Sequence, residues 1–398
     1  MNSEIRVRDP AWLTNHIFGT LQFYYPRCID YRNGGYFQCY LDDGTICNNQ
    51  TKHLVGTSRF IYVFSVGAML RGDSWCLQAA EHGLSYLQNY HLDINNGGYF
   101  WKLNDNQVSV SNKYAYGHAF ALLAASKAYQ AGIPCASHLI DYIYNILDQY
   151  FWEPDHGLYL NEMNSDWSII NPYRGQNPNM HLCEAMISAY EATGNHKYLE
   201  RAYILAYNVT LNLAQQSEGS IWEHYDPNWV IDWNYIETNK EMQQFRPQGF
   251  IPGHSIEWSK LLLLLERYKS ESWMIERAVE LYNSALKLGL DTEYGGIYYS
   301  IDREGKVLES DKYYWVMAEA IGASALLGTR LKAFTYWRNY DALFNYAWNY
   351  FIDKKRGGWY EKVNRFNQKV GNKKSPVTKT DYHPIVNCYE TIRALTNL

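Results

Sequence analysis

The chain has 398 residues, of which 47% are hydrophobic and 16% aromatic, including 37 Tyr and 14 Trp, with a net charge of −5. No basic block extends beyond Lys373-Lys374 and no apolar run is long enough to span a membrane, which argues against nucleic acid as a partner and against a transmembrane helix. Met1 to Arg6 carry no apolar leader core, and the seven cysteines include no CxxC pair and read as thiols, so a cytoplasmic protein is expected.

The first helix is expected from about Pro10 to Tyr25, capped by Asp9 with Pro10 in its first turn. A glycine-aromatic turn, Gly34-Gly35-Tyr36-Phe37, then leads to an apolar helix from Thr57 to Arg71 and a partner from Ser74 to Tyr90. Gly97-Gly98-Tyr99-Phe100 introduces Tyr116 to Ala131 and Cys135 to Phe151, and His156-Gly157-Leu158-Tyr159 introduces Asn177 to Thr193 and His196 to Gln215. After Glu218-Gly219-Ser220-Ile221-Trp222 comes the longest connection, reaching Ile251, and then helices from Pro252 to Tyr268 and Ser272 to Leu288. Gly295-Gly296-Ile297-Tyr298 precedes Tyr313 to Leu327 and Lys332 to Phe351, and Gly357-Gly358-Trp359-Tyr360 precedes His383 to Leu395.

The turns recur at about 60 residues, and self-similarity at a fixed period is the mark of a repeat architecture. Each hairpin needs its neighbours to bury its apolar face, so residues 1–398 are expected to form one domain. The expected fold class is all-α: six helical hairpins closed into a double-layered ring, with short β-hairpins at one face. Gly98 to Asn106 and Gly296 to Gly305 read as two of those β-hairpins. The aromatic Trp222 to Ile251 connection reads as an ordered lid.

Polar residues gather at one end of the first helix after each glycine turn, the inner helix of each pair. Arg59, Tyr116 and His118, then Asn179, His181 and Glu184, then His254 and Glu257, then Trp315 and Glu319, and finally His383 follow one another in phase. In a ring they converge on one axis. His181/Glu184 and His254/Glu257 are spaced i, i+3, which places each pair on one helix face. A carboxylate beside an imidazole fixes its tautomer and raises its pKa toward neutrality, which suits a general base. His-Glu-x-x-His is absent and the Glu-x-x-His order of di-iron bundles is reversed, so no metal is expected. Neither a nucleophile elbow nor a phosphate-cradling glycine loop occurs. A carboxylate pair drawn from Glu184, Glu257 and Glu319 leaves glycoside hydrolysis as a rival.

Thr57-Ser58-Arg59-Phe60, Tyr116-Gly117-His118-Ala119-Phe120, Asn177 to Ala185, Pro252 to Trp258, Trp315 to Ala320 and Lys379 to Pro384 resemble, in order, the motifs of the N-acylglucosamine 2-epimerase superfamily. Asn179-Met180-His181 is similar to its mannose isomerase branch. The resemblance implies an (α/α)6 barrel and cofactor-independent chemistry on an open-chain monosaccharide, in a monomer or homodimer. It implies His383 as the base at C2 and His254 as its partner in ring opening or proton delivery. Arg59, His181, Glu257 and Glu319 would hold sugar oxygens or orient the histidines, and Trp315 would touch the sugar. Mannose–fructose isomerisation is the leading expectation, with mannose–glucose 2-epimerisation on the same histidines as the alternative. Arg246, in the long connection, is placed to brace the lid or to meet the anionic group of a sulfoquinovose-type sugar. A sugar-binding module without turnover is the non-enzymatic rival.

Overall fold

In the computed structural model, which describes residues 7–396, the apolar stretches bury in alternating layers and close a ring. The Met1–Arg6 segment, read above as lacking a leader core, lies outside the described residues. The twelve helices are α1 (Pro10–Tyr24), α2 (Leu54–Met69), α3 (Ser74–Tyr86), α4 (Ala115–Gln130), α5 (Ala136–Ile146), α6 (Gln176–Thr193), α7 (His196–Tyr207), α8 (Pro252–Glu266), α9 (Ser272–Gly289), α10 (Tyr314–Leu331), α11 (Phe334–Tyr350) and α12 (Tyr382–Thr396). The even-numbered helices form the inner ring, each packing on the next, with α12 closing on α2. The odd-numbered helices wrap outside, each against an inner partner. Inner α4 is buried without interruption from Ala115 to Ala128, whereas outer α5 buries one stripe of Leu139, Ile140, Ile143 and Ile146. That contrast is expected when one layer is enclosed on all sides and the other faces water. Among the described residues no helix is long and apolar enough to cross a membrane.

The outer helices depart from the sequence reading at their C-terminal ends. Three of them widen into another form: Leu87–His91, Leu147–Phe151 and Asn208–Leu213 are π-helical turns. The wider turn swings its last side chain inward, and His91 and Phe151 are fully buried. Ring nitrogens of His91 then meet the Phe100 carbonyl at 3.1 Å and the Thr57 hydroxyl at 3.2 Å.

Both expected β-hairpins are present. Lys102–Asn104 pairs with Gln107–Val110 across Asp105 and Asn106, both left-handed at φ +46° and +61°, and Ser300–Ile301 pairs with Val307–Glu309. At the glycine turns the backbone needs glycine for two reasons at once. Gly98 has φ +69°, and a Cβ there would stand 2.8 Å from Trp167 and 2.9 Å from His118.

A second repeat lies beneath the glycine turns, unnoticed in the sequence. Asp30, Asp93, Asp291 and Asp353 each accept backbone N–H groups of their own turn. Each also takes the ammonium of the lysine on the strand leading to the next inner helix: Lys52 at 2.8 Å, Lys113 at 2.8 Å, Lys312 at 3.0 Å and Lys374 at 2.5 Å. In the third unit Glu153 and Arg174 substitute at 2.7 Å. Charges this deeply buried are tolerated only because each is paired and further hydrogen-bonded.

One expectation about cysteine is corrected. Cys39 and Cys47 form a disulfide, their Cα atoms 5.4 Å apart across the antiparallel strands Cys39–Leu41 and Ile46–Asn48. A spacing of eight residues hid two facing positions of a hairpin. Cys28, Cys76, Cys135, Cys183 and Cys388 are free. The bond removes thiol usage as an argument for a reducing compartment.

Candidate active site

The starts of the inner helices face one enclosed space at the ring axis. His383, the second residue of α12, is only 3% exposed. Its Nδ1 lies 2.7 Å from Glu319 of α10. The carboxylate partner fixes Nδ1 as the protonated nitrogen and leaves Nε2 with a free lone pair. Glu319 is itself fully held: Asn387 donates to it at 2.8 Å and Lys260 at 2.6 Å. Burial, then the nearby charges of Arg59 and Lys379, hold His383 well below the ordinary imidazole pKa. It is therefore a neutral base across the physiological range.

His254, in the first turn of α8, has a matching arrangement with a different partner. Its Nδ1 meets Glu223 at 2.9 Å, and Gln176 donates to both Glu223 oxygens at 3.0 Å. The expected His254/Glu257 pair does not form, because Glu223 approaches from the long connection and takes the imidazole first. Trp315 stands between the two histidines, its ring centroid 5.2 Å from that of His254 and 5.5 Å from that of His383.

The His181/Glu184 pair does form, at 3.2 Å, and Tyr382 donates to the other Glu184 oxygen at 2.9 Å. The carboxylate raises the His181 pKa as expected, but it does not set the outcome. Burial outweighs the carboxylate and holds His181 down to about 4. Burial pulls Glu184 up, but the His181 hydrogen bond and the Lys260 charge overcome it and leave this carboxyl below its ordinary value. Glu257 differs from both. It is buried, neither carboxyl oxygen has a hydrogen-bond partner, and it lies 3.9 Å from His181. Burial, then the Glu319 charge, raise its pKa well above the ordinary carboxylate value, which favours the protonated form able to donate.

Arg59 on α2 donates to the Thr378 carbonyl at 2.9 Å and to the Tyr116 hydroxyl at 3.3 Å, with its guanidinium over the rings of Phe120 and Tyr382. Tyr116 meets His181 edge to face at 5.0 Å. The long connection roofs this assembly. Phe245 packs on Tyr116, Asn177 donates to the Phe245 carbonyl at 2.9 Å, and Thr378 donates to Gln244 at 2.9 Å.

Three residues singled out in the sequence, His118, Asn179 and Arg246, do not join the site. Both ring nitrogens of His118 are used by backbone, the Tyr114 carbonyl at 2.8 Å and the Tyr99 N–H at 3.1 Å. Asn179 does the same work one unit later, accepting from the Tyr159 N–H at 2.8 Å and donating to its carbonyl at 3.0 Å. Asp381 holds the Trp359 N–H at 3.2 Å in the last unit. His118, Asn179 and Asp381 thus pin the aromatic residue after three of the glycine turns, which explains their phase without any substrate. Arg246 is engaged by Glu162 at 2.8 Å and Glu237 at 3.0 Å and stacks on Tyr173, so it braces the roof and does not wait for an anion. His118→Ala is therefore expected to lower thermal stability, by about 1–3 kcal/mol for the unsatisfied Tyr99 N–H, while KM stays unchanged. A large rise in KM with unaltered stability would return His118 to the site.

Glu223, Gln176, Lys260, Asn387 and Tyr382 were missed by sequence reasoning. Only Lys260 left a signal: a lysine inside the apolar run of α8, one turn beyond Glu257. Two sets, His181–Glu184–Glu257 and Glu257–Glu319–His383, bring ligand atoms within 4.8 Å of one another and could share a cation by geometry. In the second set the Lys260 ammonium already supplies the positive charge that Glu319 requires.

A closed ring of helical hairpins holds two carboxylate-oriented imidazoles against one indole, an arrangement suited to general acid–base chemistry. The chain belongs to the N-acylglucosamine 2-epimerase family, whose model matches residues 35–388. It is 43% identical over 387 residues to the D-mannose isomerase of Marinomonas mediterranea, covering 97% of this chain and 98% of that one. It is 32% identical to the D-mannose isomerase of Thermobifida fusca, covering 90% and 88%. A crystal structure of a D-mannose isomerase superposes with a TM-score of 0.93 at 41% identity over the whole of both chains. The all-helical toroid expected from the repeat is the fold observed.

Proposed function

We propose that this chain is a cofactor-independent aldose–ketose isomerase that interconverts D-mannose and D-fructose, with the pentose pair D-lyxose and D-xylulose as further substrates. The observation that carries the reading is the pair His383–Glu319 and His254–Glu223, facing each other across Trp315. Similarity to two D-mannose isomerases supports the choice of sugar.

The chemistry follows from the protonation states. His254 delivers a proton to the ring oxygen as the C1–O5 bond breaks and takes up the O1 hydroxyl proton as the C1 carbonyl forms, and Trp315 supports the open chain. Neutral His383 Nε2 removes the proton on C2. The C2–H electron pair becomes the C1–C2 double bond, and the carbonyl pair moves onto O1. Arg59 and neutral Glu257 donate to the sugar oxygens as charge develops, at no cost of reorganisation. Passage of the O2 proton to O1 and return of the C2 proton to C1 give the ketose. Return to the other face of C2 would give the epimer.

Chromatography of D-mannose incubated with purified protein separates the readings. Fructose as the first product supports isomerisation. Glucose as the first product assigns the site to 2-epimerisation, and unchanged mannose rejects both.

A further inference from the structure

One cation at the site has no part in the reaction above. Lys379 lies between the strand Lys373–Ser375 and α12, in a segment fixed by the Arg59–Thr378 and Thr378–Gln244 hydrogen bonds and by donation from the Thr380 N–H to Ser375 at 2.8 Å. Its Nζ stands 5.8 Å from the ring centroid of Trp315, the indole that both histidines touch. The charged and titratable groups that face it are Arg59 from α2, Glu257 from α8, Glu361 beside the strand Lys362–Val363, and His383 from α12.

Lys379 is half-buried, and the fold treats its fully buried lysines differently. Lys52, Lys113, Lys127, Lys260, Lys312 and Lys374 each hold a carboxylate. Among the described residues the Lys379 ammonium makes neither a hydrogen bond nor an ion pair. Arg59 also lacks a carboxylate and is held by a carbonyl, a phenol and two aromatic faces. Two basic groups that make no ion pair at one site form an arrangement that an anion from outside completes.

We propose that Lys379 contacts the sugar and, with Arg59, binds the negative charge that appears on the O1–C1–C2–O2 unit when the C2 proton leaves. The inference rests on the isomerase reading and adds a charge-stabilising residue to it. Bond changes are those already given: C2–H breaks, the C1–C2 double bond forms, and the displaced carbonyl pair resides on oxygen beside Lys379 until C1 is protonated. Burial, with Arg59 beside it, lowers the Lys379 ammonium to about 7. An anion in contact pulls the proton back onto the amine.

The test compares wild type with Lys379→Met and Lys379→Arg, using D-mannose turnover and calorimetric binding of two probes. Mannitol is a neutral polyol, and a four-carbon aldonohydroxamate carries the planar anionic unit of the enediolate. Lys379→Met is expected to lower kcat about 10²–10³-fold, as for loss of one oxyanion donor, with KM within a few-fold. It should weaken hydroxamate binding by a similar factor, abolish the proton uptake that accompanies that binding at pH 8, and leave mannitol binding unchanged. Lys379→Arg should retain the preference for hydroxamate over mannitol. Equal loss of both probes, or full kcat in Lys379→Met, overturns the proposal. Stronger Lys379-dependent binding of a 6-sulfonated hexose than of the hydroxamate also overturns it, assigning the cations to a permanent substituent. If wild type fails to turn over mannose, the isomerase reading falls, while the two-probe comparison still decides whether Lys379 selects a planar anion.

Discussion

His383→Ala is expected to reduce kcat by about 10²–10⁴-fold, the loss associated with removing a positioned general base. The fold should survive, because Glu319 keeps Lys260 and Asn387 as partners once the imidazole is gone. Mannose KM should change little, since binding is shared among Arg59, Trp315 and Glu257. The pH profile supplies an independent check. His383 is held well below the ordinary imidazole pKa by burial, so its base form persists as pH falls. The acid limb of kcat/KM in the wild type should lie well under pH 6.5 if it reports this group. Retention of full activity by the alanine variant would remove His383 from the mechanism.

Lys260→Met should produce the largest loss of stability. Lys260 and Glu319 are both fully buried and 2.6 Å apart, and breaking such a pair from one side costs about 3–5 kcal/mol because the remaining charge has no counterpart. Urea denaturation reads this loss directly. The same substitution removes a positive charge that depresses His383, so the imidazole pKa rises and the acid limb of activity moves to higher pH. Replacing both partners, as in Lys260→Met with Glu319→Leu, should restore much of the stability without restoring activity, because His383 Nδ1 then lacks its acceptor. Equal instability in the single and double variants would contradict this account of the pair.

The ring was legible because its cause is periodic. Each glycine turn marks the seam of a hairpin, and six seams at similar spacing leave few ways to bury the apolar faces. The site was legible in its first layer for the same reason: Arg59, His181, His254, Trp315, Glu319 and His383 stand at equivalent helix starts and converge. The partners were not. Glu223 reaches His254 from a long connection of no regular period, and local i, i+3 spacing pointed to Glu257 instead. His118 and Asn179 were misleading because the repeat imposes a structural duty at the same phase, that of holding the turn's backbone N–H. Pairing also hid the direction of the His181 pKa, since spacing reveals a neighbouring carboxylate but not the burial that outweighs it. The disulfide between Cys39 and Cys47 escaped because strand register, not cysteine spacing, brought the two together.

Proton transfer through an enediolate by His383 is what labelling in D2O tests. The direct measurement is a proton NMR time course of D-mannose with the protein in D2O. The account predicts fructose carrying deuterium at C1, because a base that exchanges with solvent returns the hydrogen, and no such labelling with His383→Ala. Fructose that keeps all of its original hydrogen at C1 would contradict it and indicate direct migration of hydride from C2 to C1.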